Sequence, residues 1–375
     1  MSNRRATSIV EHFLGVTDPR RREGSYPLIN FLVIGVCAVI CGVDDFVSMA
    51  EFASVKREFF ARFLDLSAGI PSHDRFNAIF AAIKPAEFER CLLSWITALH
   101  EVTAGQVVAI DGKTLRRSYD KATSKSAIHM VSAWATANHL SLGQTVVDQK
   151  SNEITAIPEL LKILELSGCL VTIDAMGCQV AIAQAIVDAD ADYVLAVKGN
   201  QKSLHNSIAR YFKDHEGDDF ARVKVKRHST QQRAHGREET RRYFTCRTPE
   251  QIADQQRWPK LKAIGMAVND TFRDGKQTRE VRYFILSKNL TARAFGEAVR
   301  SHWAIENRCH WQLDVTFQED QCRIRKGHAD ANFSSLRRTA LSLLKNNHSR
   351  RVGIKNKRLI AGWDEGYLTE VLLGK

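Results

Sequence analysis

Apolar residues recur at three- and four-residue spacing through Phe46, Met49 and Phe52, and again through Phe76, Ile79, Phe80 and Ile83. That is the period of helices with one buried face. Between them, Pro71-Ser72-His73-Asp74 supplies a turn and a helix start, since Ser72 or Asp74 can cap free amides. The pattern predicts a helical N-terminal domain over residues 1–104. Leu28 to Val43 is almost wholly apolar, but it contains Asn30, stops at Asp44-Asp45 and falls short of the ~20 residues of a membrane span. It reads as a buried core helix, with no membrane association.

The texture changes at Gln106. Val107-Val108-Ala109-Ile110 is a short continuous apolar run, the mark of a strand covered on both faces, and it ends in Asp111-Gly112. Further strands are expected at His129 to Ala135, Gln144 to Val147, Leu170 to Ile173 and Tyr193 to Val197, with helical stretches near 156–166 and 178–189 between them. Strands interleaved with helices predict an α/β layer fold over residues 105–375. From about 216 to 289 the residues alternate, as in Arg222 to Lys226, Thr240 to Thr245 and Val281 to Leu286, with a turn signal at Arg273-Asp274-Gly275. This predicts a β-rich insertion. Helical periodicity returns from Ala292 to Leu313 and continues through a basic helical tail.

Charge narrows the partner. Lys and Arg total 54 against 42 Asp and Glu, a formal balance of +12, which favours a polyanion and makes nucleic acid the first partner to consider. The cysteines are scattered with no Cys-x-x-Cys pair, so they read as reduced thiols. No apolar leader follows Met-Ser-Asn-Arg-Arg, and the expected location is the cytoplasm.

Two aspartates end equivalent short strands: Val107 to Asp111 and Leu170 to Asp174. Carboxylates at the carboxyl ends of strands in an open α/β sheet face the crevice where such folds bind ligands. A third acid is best assigned to Glu306, on the helix after the insertion, with Asp314, Glu319 and Asp320 as alternatives. Three acids can hold two Mg²⁺ or Mn²⁺ ions, which stabilise both oxygens of a phosphoryl displacement. A rival metal site is His302, Glu306 and His310, at i, i+4 and i+8, although it lacks the order of a zincin motif. Lys113, Arg116 and Arg117 after the first aspartate, and Lys198 and Asn200 after another strand end, are candidate contacts to DNA phosphates. The tail cations Arg337, Arg338, Lys345, Arg350, Arg351, Lys355, Lys357 and Arg358 are a second candidate set. Trp258 is either core or a stacking platform for an unpaired base.

The chain resembles the ISAs1 family of insertion-sequence transposases, related to the H-repeat-associated proteins and allied to the IS4-like DDE group. The likeness rests on Asp18-Pro19-Arg20, Tyr26-Pro27-Leu28, Cys37 to Gly42, Gly69 to Asp74, Ala109 to Lys113, Lys198-Gly199-Asn200-Gln201, and His302 to Asn307 through His310-Trp311 and Leu313-Asp314-Val315. The resemblance implies an RNase H-like catalytic core with a β-rich insertion, and places the family's acids on Asp111, Asp174 and Glu306. Of the Tyr-x2-Arg-x3-Glu-x6-Lys pattern common in IS4-like relatives, only the glutamate is kept. The other slots hold Val299, His302 and Leu313, so His302 stands where an arginine grips phosphate.

The expected function is therefore a DDE transposase that cuts double-stranded DNA at terminal inverted repeats and joins the 3′-hydroxyl ends to target DNA. It would work as a homodimer, because two ends are cut together, and would be associated with the bacterial nucleoid. The alternatives are a catalytically inactive relic that only binds DNA, and a metal-dependent nuclease that hydrolyses without joining.

Overall fold

In a computed structural model of the chain, residues 9–22, 24–99, 106–115, 118, 127, 129–137, 139–147, 153–234 and 236–374 are described. Arg116 and Arg117, expected to contact phosphates, lie outside them. The protein is a mixed α/β structure that divides into two compact units, residues 1–102, 112–150 and 306–375, and residues 103–111 and 151–305. Strand β1 (Val107–Thr114) passes from the second unit into the first.

In the first unit, helices fill Ile9–Phe13, Leu28–Ile40, Phe46–Val55, Arg57–Phe60, His73–Ala82 and Pro85–Leu99. The end of β1 is followed by β2 (His129–Ala135) and β3 (Leu140–Val147), an antiparallel pair in the order β3-β2-β1. Helix Ala329–Asn346 is the spine of this unit. It packs on helices Leu28–Ile40, His73–Ala82 and Pro85–Leu99 and on β3, so even its polar side chains are buried. Several of them are hydrogen-bonded there: Asn332 donates to the carbonyls of Phe80 and Ile83, Gln144 donates to the Ser335 hydroxyl at 2.6 Å, and Ser335 in turn reaches Glu89. The apolar run becomes helix Leu28–Ile40, buried on nearly every side within this core. No helix among the described residues is long and apolar enough to cross a membrane.

The tail departs from its reading as a phosphate-facing surface. Arg337, Arg338, Lys357 and Arg358 are buried. Each has an internal reason: Arg337 lies over the Phe333 ring, Arg338 pairs with Glu319, Lys357 donates to the carbonyls of Leu344 and Asn347, and Arg358 donates to Val39, Thr316 and Asp44. Arg350, Arg351 and Lys355 remain exposed.

The second unit is built on the order β1-β4-β5-β9-β8-β7-β6, with β4 (Leu170–Ile173), β5 (Asp192–Val197), β6 (Lys226–Ala234), β7 (Arg237–Arg247), β8 (Ala263–Arg273) and β9 (Lys276–Leu286). β1, β4 and β5 run parallel, and β9 adds to β5 antiparallel. Helices Glu153–Lys162, Val180–Asp188, Lys202–Glu216 and Ala292–Ile305 belong to it. The β-rich insertion is thus the antiparallel continuation of the parallel strands. The expected strand at Arg222 to Lys226 is absent, and β6 starts only at Lys226. Asp219 and Phe220 take positive φ, which turns the chain and seats Phe220 between Phe212 and Phe244. The β8–β9 turn forms as read, with φ of 48° at Asp274 and 73° at Gly275, the pair of positive values a tight hairpin requires. Trp258 is core, 4% exposed.

Candidate active site

The ladder between β1 and β4 pairs Val107 with Leu170 and continues to Ile110 opposite Ile173. Asp111 and Asp174 are the residues that follow this last pair. Asp174 ends its strand as expected, but Asp111 does not, because β1 continues to Thr114. The apolar runs before them are buried, Val108, Ala109, Ile110 and Val171 completely, which fixes the register and with it the pairing of the acids.

Asp174 is oriented by its own loop. Its Oδ1 accepts the backbone N–H groups of Met176 at 3.0 Å and Gly177 at 3.2 Å. Gly177 is required at that point, because a Cβ would fall 2.2 Å from Cγ2 of Ile173. The Lys198-Gly199-Asn200-Gln201 motif holds the loop from the side. Asn200 donates to the Ala175 carbonyl at 2.6 Å, and Gln201 donates to the Cys178 carbonyl at 3.0 Å. Asn200 therefore has a positioning contact, and Lys198 is exposed just after β5.

His302 comes from helix Ala292–Ile305. Its Nδ1 lies 3.3 Å from the hydroxyl of Thr172, two residues before Asp174. Burial pushes the imidazole below its ordinary pKa, and the nearby Asp174 charge opposes that shift. Trp303, the next residue, lies under the guanidinium of Arg282, 4.2 Å from the ring centroid. The α-helix then passes into a π-helical turn, Glu306–His310, before Trp311–Val315. Such turns insert an extra residue per turn and are frequent at functional sites. Glu306 is exposed at its first position and belongs to the first unit.

Lys113, two residues beyond Asp111, is only 8% exposed and is enclosed by carboxylates of the first unit. It contacts Asp314, reaches Glu319 at 2.8 Å and has Asp320 at 3.9 Å. Glu319 also accepts from Arg338 at 3.1 Å and from the Ser334 hydroxyl at 2.7 Å. Burial alone would raise the Glu319 carboxyl, but the charges of Arg338, Lys113 and Arg337 outweigh it and hold the group well below the usual range. Asp314 moves the other way, because burial outweighs its contact with Lys113. These acids neutralise buried cations, an arrangement sequence spacing gave no sign of. Among the described residues no three His, Cys, Asp or Glu side chains form a cluster that could hold an ion. The paired Asp111 and Asp174 nevertheless offer hard oxygen donors of the type Mg²⁺ and Mn²⁺ take.

The antiparallel strands carry two electrically different faces. Tyr243, Ala267, Arg282 and Phe284 share the face on which Phe295 of helix Ala292–Ile305 packs. Further along the same face are Arg237, Arg273 and Lys276 in register, then Arg241. Glu239 pairs with both Arg237 and Arg241, and Glu280 pairs with Arg282. Burial and the neighbouring Arg300 charge lower the Arg241 guanidinium, as expected of crowded cations. On the opposite face the charges cancel: Arg233 with Glu238, Arg242 with Asp270, and Arg279 with Glu216.

The sheet that holds Asp111 thus also carries, on its antiparallel strands, a face rich in arginine. The family model described as Transposase DDE domain matches residues 103–343, and its companion, DDE_Tnp_1-associated, matches residues 10–96. The chain belongs to the DDE transposase family. It is 38% identical over 377 residues to the "H repeat-associated putative transposase YhhI" of Escherichia coli, covering 98% of each chain. It is 40% identical over 373 residues to the "Putative transposase YncI" of the same species, covering 96% of this chain and 93% of that one. A cryo-EM structure of the piggyBac transposase synaptic complex with hairpin DNA covers 96% of this chain and 76% of its own at 11% identity and TM-score 0.42, too low a likeness to carry an argument.

Proposed function

We propose that the protein cleaves double-stranded DNA at the terminal inverted repeats of an insertion sequence and joins the freed 3′-hydroxyl ends to target DNA by metal-dependent phosphoryl transfer. The observation that supports this reading is the register that sets Ile110 opposite Ile173, the residues just before Asp111 and Asp174. The strand orders β3-β2-β1 and β1-β4-β5 support an RNase H-like core. Asp111 and Asp174 would hold Mg²⁺ or Mn²⁺, with Glu306 as the proposed third ligand. When bound, the ions supply Lewis-acid stabilisation of the charge on the phosphoryl oxygens.

The chain's own residues do the rest. Met176 and Gly177 fix the Asp174 carboxylate through Oδ1. The basic sheet face attracts the DNA backbone and sets its direction, a contact independent of sequence. His302 offers an imidazole beside Asp174 for a phosphate oxygen. Lys113, neutralised by Asp314 and Glu319, anchors the strand that carries Asp111. A homodimer on DNA follows from the need to cut both ends together.

The test is cleavage of a duplex bearing the gene's flanking sequence, with Mg²⁺ or Mn²⁺, by the wild type and by D111N, D174N and E306Q. End-specific nicks and joined products that vanish in each variant and on chelation are expected. Cleavage retained by D174N would overturn the assignment, and binding without cleavage by the wild type would show a protein that only binds DNA.

A further inference from the structure

A cleft of about 430 Å³ opens in the first unit between the start of helix Phe46–Val55, the start of helix His73–Ala82 and the segment from Cys322 to Lys326. Its charged lining is Asp44, Asp45, His73, Arg323, Arg325 and Lys326. Both acids are engaged within the fold. Asp44 accepts from Arg358 at 3.0 Å, and both carboxylate oxygens of Asp45 accept from Ser48, from its N–H at 2.8 Å and its hydroxyl at 2.9 Å. Asp44 is neutralised by Arg358, Asp45 keeps its charge, and the two exposed cations Arg323 and Lys326 outweigh it, so the outward side of the cleft is basic. Arg323 and Lys326 are exposed and Arg325 is half-buried.

The basic segment is fixed at both ends. At its start the N–H of Cys322 donates to the Glu319 carbonyl at 3.1 Å, and Glu319 is itself locked between Lys113 and Arg338. At its end Gly327 adopts φ of 52° with the Ala81 carbonyl oxygen only 2.4 Å from where a Cβ would stand, and the N–H of His328 donates to the same oxygen at 2.9 Å. A backbone fixed in this way does not have to be ordered when an anion arrives, which lowers the entropic cost of binding. Guanidinium groups match phosphate oxygens in a two-pronged geometry that an ammonium lacks.

Building on the transposase reading, we propose that this cleft binds the phosphodiester backbone of duplex DNA through Arg323 and Lys326, as a site made only of first-unit residues. The contact reads charge and spacing, not sequence. A cleft open to solvent and lined by several cations suits a continuous backbone better than a single small anion.

The experiment is salt-dependent binding of the full-length protein to a duplex with the flanking sequence and to an unrelated duplex, in Ca²⁺, with cleavage in Mg²⁺ run alongside. The R323Q/K326Q variant changes two exposed side chains. It should bind both duplexes more weakly by the same factor, and its log–log salt slope should be shallower by roughly two phosphate contacts, at about 0.9 per contact. R323K should retain the slope while losing part of the affinity. A folded R323Q/K326Q protein with the wild-type slope overturns the proposal and leaves the transposase reading intact. Wild type that shows the slope but never cleaves overturns that reading and leaves the cleft proposal standing. Wild type that binds neither duplex overturns both.

Discussion

The side-chain amide of Asn200 donates to the carbonyl oxygen of Ala175 at 2.6 Å, tying the loop after β5 to the residue that follows Asp174. With the Gln201 bond to the Cys178 carbonyl, it holds the loop from which Met176 and Gly177 orient the carboxylate. Replacing Asn200 by Ala should cost about 1 kcal/mol of stability. It should reduce cleavage much more than DNA binding, because Asp174 loses its fixed geometry while the basic face is untouched. Urea unfolding together with binding and cleavage assays measures both effects. Cleavage unchanged in N200A would remove the positioning role.

Glu319 predicts a pH dependence of stability. Its carboxyl is held below its unfolded value of about 4.3. Its contribution is therefore fully present above that value and is lost as the pH falls through the lower folded pKa. E319Q leaves Lys113 and Arg338 without their buried partner and should destabilise by about 3–5 kcal/mol at neutral pH. It should also flatten the acid limb of the unfolding profile below about pH 4. Denaturant midpoints across pH 2–7 check both outcomes.

Gly327→Ala places a side chain at φ of 52° against the Ala81 carbonyl. The strained backbone alone should cost about 1–3 kcal/mol, and the close contact adds to it. A melting temperature equal to that of the wild type would show that the loop relaxes without loss.

The two sheet faces should respond differently to loss of charge. R237Q/R273Q removes cations from the face packed on helix Ala292–Ile305, and should weaken duplex binding and reduce the salt slope by roughly one per lost contact. R233Q, on the opposite face where Arg233, Arg242 and Arg279 each have a carboxylate to themselves, whereas Arg237 shares Glu239 with Arg241, should leave the slope unchanged. Equal effects from both changes would place the DNA elsewhere.

Several features were legible in the residues themselves. The apolar runs ending in Asp111 and Asp174 marked buried strands, and the Asp274-Gly275 pair marked its hairpin, because each signal is local. Adjacency of the two strands was not local, since β1 and β4 are separated in sequence by β2, β3 and a helix. The face shared by His302, Glu306 and His310 was inferred from a uniform α-helical period, and the π turn at Glu306–His310 breaks that period. The burial of Lys113 and Arg338 was hidden too: a cation reads as surface until its carboxylate partner is known, and Glu319 lies far from Lys113 along the chain. Phe220 shows the same limit, because its capture by Phe212 and Phe244 overrode the alternation that suggested a strand at Arg222 to Lys226.

The hairpin at Asp274-Gly275 acts as a phase setting for charge. Side chains on β9 alternate between faces with a period of two, so removing one residue from the turn would carry Lys276 and Arg282 to the opposite side while changing neither the composition nor the net charge of the strand. Insertions or deletions at this turn should therefore be tolerated in even steps and damaging in odd ones, a parity rule imposed by the pleat and invisible to any count of basic residues.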